Sequence, residues 1–418
     1  MPEQVSEQGT PPSLGTAYWR LWTSSGLSNL ADGIVKVAMP LVAIRYTDSP
    51  TLIAGLVFAL TLPWLLFALP AGALADRLDR RRAMLGANSV RAVLLAALAV
   101  SVAADIGSIW VLYVVALGIG AAETLYDTSA QSILPQVVPR DRLSRANGRL
   151  YAAELTANEF IGPPLGGLLV VLGAAIAFGA PAALWAVALA VLLLVRGAFR
   201  VERDRRTTIR ADVAEGLRFL WRHRLLRTLA VMVGVSNFAT NATFAILVLY
   251  AVGPGSAIGL SEPAYGVLLT TAAAGGLLGS FVAERVERRL GRARSLVLTM
   301  LGITLLVGVP AATTDPVLIG AGFLVGGVTI AIWNVITVSL RQRITPDRLL
   351  GRLNSGYRLV AWGSRPLGAA AGGLLAQVLG LRAVFAVMAV VTLALIVGMT
   401  RVTDDAMDQA ERDAEHMS

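Results

Sequence analysis

Several polar and charged residues stand at helical spacing inside otherwise apolar sequence. In residues 28–40, "SNLADGIVKVAMP", Asn29, Asp32 and Lys36 follow one another, and Lys36 is the only lysine of the chain. Further on come Glu123 and Asp127 with Gln131, then Glu154, Asn158 and Glu159, then Asn237 and Asn241, then Arg358, Trp362 and Arg365. Intervals of three or four place each set on one helix face. Carboxylates there can take up and release protons. Amides, cations and an indole can hold the polar and aromatic parts of a ligand. Two carboxylates one turn apart in apolar surroundings repel when both are ionised, so Glu123 or Asp127 is the expected proton carrier, with Asp32, Glu154 and Glu159 as further coupling candidates. Asp32 and Lys36 allow two readings: a pair whose charges neutralise each other at (i, i+4), or a substrate-side coupling element.

Other chemistries lack their residues. There is no cysteine, the two histidines are His223 and His416, and no HExxH occurs. No metal site, cofactor or enzymatic nucleophile is expected. The net charge of +9 is carried by arginines in short loops, a topology signal rather than a nucleic-acid surface.

The elements that carry these residues are membrane helices. The chain has 418 residues, is 56% hydrophobic and has a mean hydropathy of +0.67. Twelve apolar stretches are each long enough to cross a bilayer: 22–46, 51–74, 83–104, 108–133, 149–172, 175–196, 225–252, 263–283, 294–312, 316–340, 353–378 and 381–401. They lack the alternation of a barrel, so an all-α membrane protein of twelve transmembrane helices follows. No cleavable signal peptide is visible. Arginines crowd alternate loops, around Arg77 to Arg82, Arg140 to Arg149, Arg200 to Arg227, Arg285 to Arg294 and Arg341 to Arg352. The positive-inside rule then places both termini in the cytoplasm. The near absence of lysine suggests a high-GC bacterial genome and hence a bacterial inner membrane.

The longest arginine-rich loop divides the chain. An N-terminal six-helix unit covers 1–196 and a linker 197–224, followed by a C-terminal six-helix unit at 225–401 and a tail at 402–418. Within the linker, Val213, Leu217 and Leu220 share one face of an amphipathic helix expected on the inner membrane surface. The halves repeat. Gly26, Ser28, Asn29 and Ala31 recur as Gly234, Ser236, Asn237 and Ala239. Ala75-Asp76-Arg77-x-Asp79-Arg80-Arg81 recurs as Ala283-Glu284-Arg285-x-Glu287-Arg288-Arg289. Two repeated bundles with a site at their interface is transporter architecture. In this register Asp32 aligns with Thr240, Lys36 with Phe244 and Asp127 with Asn334. Charges missing from the matching helix are better candidates for chemistry than for architecture.

Gly72-Ala73-Leu74-Ala75-Asp76-Arg77-Leu78-Asp79-Arg80-Arg81-Arg82 resembles the signature between the second and third helices of the major facilitator superfamily, with Asp79 where glycine is usual. Gly162-Pro163-Pro164-Leu165-Gly166-Gly167 is similar to the core of its exporter motif, with Asn158 at the usual upstream glycine. "LPQVVPRDRLSRANGRLY" and "WGSRPLGAAAGGLLA" look like the branch of macrolide and siderophore exporters.

The resemblance implies two pseudo-symmetric six-helix bundles working by alternating access. Gly72, Asp76, Arg77, Arg80 and Arg81 would form a cytoplasmic gate, with Asp76 capping a helix of the other half. The Gly162–Gly167 stretch would be an antiporter motif. The expected activity is proton-driven export of a lipophilic or amphiphilic small molecule, by a monomer embedded in the lipid bilayer, with no nucleic-acid partner. A proton-coupled importer of the same fold, or a membrane sensor without transport, is the alternative.

Overall fold

The computed structural model describes residues 14–77, 79–197, 199, 209–253 and 255–415, with the side chains of 68–77, 131, 140, 209–213, 347, 348 and 415 excepted. Gly72, Asp76 and Arg77 therefore belong to a described backbone, but their side chains lie outside the described residues, as do Arg200 to Arg206, the side chain of Val213, and His416.

Every regular element described is helical. The first half runs α1 (Thr16–Ala43), α2 (Pro50–Arg77), α3 (Arg80–Ala103), α4 (Ile109–Val137), α5 (Leu143–Glu154), a π-helical segment (Leu155–Ile161), α6 (Gly162–Leu172) and α7 (Ala174–Leu193). α5, the π segment and α6 together make the fifth span. A linker helix, α8 (Ile209–Arg222), follows. The second half runs α9 (Arg224–Ala251), α10 (Glu262–Leu290), α11 (Arg292–Ala312), α12 (Pro316–Ile344), α13 (Asp347–Leu379) and α14 (Leu381–Met399), and α15 (Asp404–Glu415) closes the chain. Among the described residues, eleven spans are long and apolar enough to cross a membrane. The twelfth is α13, whose Arg358 and Arg365 dilute its apolar character.

The outer surface fits lipid. Val93, Val114, Phe281, Val317, Val378 and Val397 are each more than 65% exposed, an apolar girdle that water would penalise. Inside, the core has two different ends. Toward the arginine-poor loops, one continuous cluster joins both halves, from Ile34 and Leu41 through Phe178 to Ala242, Tyr265, Phe323 and Phe385. Toward the arginine-rich loops, each half keeps a cluster of its own, one around Tyr18, Met84 and Tyr126 and one around Leu229, Met300 and Trp333. The halves are fused at one end and separately packed at the other.

Three local results differ from the sequence expectations. Asp79, at the position where the resembled signature has glycine, is the N-cap of α3: one oxygen accepts the Arg82 N–H at 3.0 Å and the other the Phe199 N–H at 2.7 Å. A carboxylate suits orphan amides at a helix start. The linker helix α8 is docked on protein, with Leu220 fully buried and Gly216 against the Arg352 backbone of α13. The tail also folds: α15 buries Met407 and Ala410 in the second half's core.

Candidate functional site

Asp32 and Lys36 do not pair with each other. The (i, i+4) spacing puts both on one face of α1, yet each side chain meets a different neighbour. Lys36 donates to both carboxylate oxygens of Glu159 in the π segment at 2.8 Å. Asp32 lies 3.6 Å from Nη1 of Arg91 on α3. The (i, i+4) pairing is thus replaced by two tertiary ion pairs, one to α3 and one to the π segment.

Arg91 is the functional candidate that stripe reading missed. It is fully buried in the middle of a span. Nη1 donates to Ser28 Oγ at 3.3 Å, while Nε and Nη2 have no hydrogen-bond partner. Its guanidinium instead faces the rings of Tyr126 at 5.1 Å and Trp185 at 5.4 Å, and cation–π attraction offsets part of that deficit. Three carboxylates act on this one cation: Asp32, Glu123 and Asp127. A charged side chain in mid-span costs roughly 2.5–3.5 kcal/mol on insertion scales. That rule alone marks Arg91 in the sequence. Asn88, three residues earlier on the same face of α3, is fully buried as well and meets the same Ser28 hydroxyl.

The acids also look across to the second half. Arg365 of α13 is within electrostatic reach of Glu123 and Glu159, and Arg358 of Asp127. Between these arginines Trp362 forms a platform, 4.7 Å from Arg358 and 4.9 Å from Arg365. Trp64 of α2, absent from the sequence-derived set, meets Trp362 edge to face at 4.4 Å. Glu123, Asp127, Glu159, Trp362 and Arg365 are partly buried, and Lys36, Glu154, Asn334 and Arg358 are exposed. Five carboxylates and four cations, drawn from α1, α3, α4, the fifth span and α13, therefore meet where the two halves face each other.

The fifth span explains how these elements approach. Pro163 and Pro164 supply no amide hydrogens to the preceding turn, and that turn widens into the π segment holding Asn158 and Glu159. Glycines make the contact close. A Cβ on Gly33 would lie 2.5 Å from the Asn158 carbonyl, and one on Gly162 would lie 2.6 Å from Gly33 Cα. A Cβ on Gly166 would lie 2.8 Å from the Ile34 carbonyl. A Cβ on Gly167 would run into the Glu262 carbonyl of α10. The Gly-Pro-Pro-x-Gly-Gly run is thus a seam on two sides, against α1 within its own half and against α10 in the other.

Polar links complete the seam at the arginine-poor end. Thr51 donates to the Gly373 carbonyl at 3.3 Å, Ser49 to Gln377 Oε1 at 3.3 Å, and Arg45 lies 4.0 Å from Glu262.

The remaining expected residues are more self-contained. Asn29 donates to the Ser25 carbonyl at 2.9 Å and Asn241 to that of Asn237 at 2.9 Å. Asn237 donates to the Ala361 carbonyl of α13 at 2.6 Å, tying α9 to its neighbour. Arg81 donates to the carbonyls of Leu192 and Leu193 at 3.2 and 2.8 Å, closing the end of α7 in its own half. Arg80 is buried beside it.

The profile of a family described as "Transmembrane secretion effector" matches residues 10–418. The multidrug efflux pump Tap of Mycolicibacterium fortuitum is 30% identical over 380 residues, covering 85% of this chain and 88% of that protein. The enterobactin exporter EntS of Shigella boydii serotype 4 is 25% identical over 342 residues, 81% of this chain and 80% of that protein. Among solved structures, the nucleoside transporter NupG superposes with a TM-score of 0.73 at 13% identity, covering 92% of this chain and 98% of that one. A bacterial homologue of the iron transporter ferroportin, in an inward-facing state, gives 0.72 at 16% identity, covering 93% and 99%.

Proposed function

The chain belongs to the transmembrane secretion effector family of the major facilitator transporters, and from that premise we propose that it exports a lipophilic or amphiphilic small molecule in exchange for protons. Relatives named as a multidrug efflux pump and an enterobactin exporter support the direction of transport. The observation that carries the proton reading is the surplus of carboxylate around Arg91. Lys36 binds Glu159 directly, whereas Asp32, Glu123 and Asp127 share the one guanidinium buried within their own half, and only Glu123 and Asp127 are also reached from α13. Repelling carboxylates that cannot all stay ionised share protons.

Movement of the halves then gives the coupling. Arg358 and Arg365 reside on α13, and the acids they reach reside on α4 and the fifth span. Rocking one half against the other changes those distances without breaking either bundle. When the α13 arginines are near, their charge favours the ionised form of Glu123 and Asp127. When they withdraw, the same acids take protons. The halves are fused at the arginine-poor end, so in the proposed orientation, with both termini cytoplasmic, the structure corresponds to the state that receives substrate from inside. Trp64 and Trp362 offer flat apolar surface to that substrate, while Lys36, Asn334 and Arg358 offer polar contacts, a mixture suited to an amphiphile. The protein acts as a monomer in the cytoplasmic membrane.

The experiment is expression in an efflux-deficient bacterial host challenged with a panel of toxic lipophilic and amphiphilic compounds. We expect resistance to some of them, with lowered accumulation that a protonophore abolishes. Normal accumulation of every compound by a well-expressed protein would overturn the export reading. Raised accumulation would favour the importer.

A further inference from the structure

A second cluster of charge lies far from the coupling site, at the arginine-rich end of the second half. There the corner between α8 and α9, the end of α14 and one side of α15 enclose an open cleft of about 830 Å³. Arg222, His223, Arg224, Arg227 and Arg401 line it, with Asp413 opposite them. Four arginines thus face one carboxylate, and that carboxylate is already engaged: Gln409 donates to Asp413 Oδ1 at 2.7 Å.

The neighbouring arginines are treated differently by the fold. Arg292 binds both Asp408 and Glu411 of α15, and Arg343 reaches Glu411 at 3.5 Å. Asp404 accepts the Ala293 N–H at 3.0 Å. α15 therefore commits Asp404, Asp408 and Glu411 to other partners, and the four cleft arginines form no ion pair among the described residues. Arg227 makes one neutral contact, donating to the Trp221 carbonyl at 3.2 Å. His223 Nδ1 accepts the Leu226 N–H at 3.4 Å as the N-cap of α9, which leaves Nε2 as the donor.

The level of the cleft in the bilayer narrows the ligand. α9 begins its span at Arg224, and α14 ends its span at Met399, two residues before Arg401. The arginines therefore ring the boundary between hydrocarbon and water, and Trp221, 41% exposed, stands beside them as an interfacial aromatic does. Guanidinium groups converging on one volume bind phosphate oxygens, often two at a time. We propose that this cleft binds a phosphate-bearing anion. At this depth the source is the headgroup of an anionic phospholipid, and free phosphate in solution shares the same chemistry.

The test uses purified full-length protein in detergent, with the unfolding midpoint read against added phosphatidylglycerol, phosphatidylcholine or inorganic phosphate. Wild type is compared with a cleft variant, Arg224→Gln/Arg227→Gln/Arg401→Gln, and with a control, Arg285→Gln/Arg288→Gln/Arg289→Gln, which removes as many charges from the end of α10. Phosphatidylglycerol is expected to raise the wild-type and control midpoints. The cleft variant needs roughly tenfold more lipid, or more, for the same rise, and phosphatidylcholine has no effect on any of them. A rise with inorganic phosphate that the cleft variant also loses supports the site and assigns it to a soluble anion. The proposal is overturned if neither anion stabilises the wild type, or if the cleft and control variants respond alike. Should the triple variant fail to fold, Arg401→Gln alone, outside every span, must still weaken the phosphatidylglycerol response.

Discussion

At the scale of single residues, the two tertiary ion pairs differ in kind. Asp32–Arg91 is buried on the arginine side. Removing one partner of such a pair leaves an uncompensated charge, a loss of about 3–5 kcal/mol. Arg91→Leu is therefore expected to fall sharply in folded yield and unfolding temperature, and Asp32→Asn/Arg91→Leu to recover part of both. Arg91→Leu protein that unfolds at the wild-type temperature would refute the pairing. Lys36–Glu159 is 47% and 38% exposed, and exposed pairs contribute about 0–1 kcal/mol. Glu159→Gln and Lys36→Met should each leave the unfolding temperature nearly unchanged while altering transport. Adding Lys36→Met to Asp32→Asn is not expected to restore stability, because the two residues have different partners. A thermal-shift comparison of the single and double variants decides this.

At the scale of elements, close backbone approach is the controlling feature. Gly33→Val would drive a side chain into the Asn158 carbonyl, whereas Gly26, also on α1, has open space around its Cβ position. Gly33→Val should be destabilised by about 1–3 kcal/mol, the usual range for overpacking, with Gly26→Ala nearly neutral. Gly167→Leu acts between the halves, at the Glu262 carbonyl. It should hold the arginine-poor end apart, so that a cysteine placed at Gln377 reacts faster with a thiol reagent than in the Gly167 background. Unchanged reactivity would remove Gly167 from the seam.

Most of this scale was legible in the sequence. Hydropathy located the twelve spans, and the Gly-Pro-Pro run stood out as a motif, while its packing against α1 and α10 came only from the structure. The π segment was not legible, because widening a turn depends on how the chain resolves two lost amide donors against its neighbours. The partners of Asp32 and Lys36 were not legible either, since spacing along α1 says nothing about what stands beside it. Trp64 escaped for the same reason: its meaning comes from Trp362, nearly three hundred residues later.

At the scale of the whole molecule, the account joins orientation to energy coupling. With no native cysteine, single cysteines at Asp48, Asp105 or Asp315 should react with an impermeant thiol reagent added outside intact cells. Cysteines at Arg82, Arg145 or Arg289 should not, and the reverse pattern would invert the topology.

The central claim is that substrate leaves in exchange for protons carried by the acids around Arg91. It is tested most directly by substrate-induced proton release from purified protein in liposomes, once a substrate is in hand, with wild type beside Glu123→Gln and Asp127→Asn. The account predicts release by the wild type and its loss in both variants, with substrate exchange across the membrane persisting. Release at the wild-type stoichiometry from both variants would contradict it, and would move the coupling site to Asp32, Glu154 or Glu159.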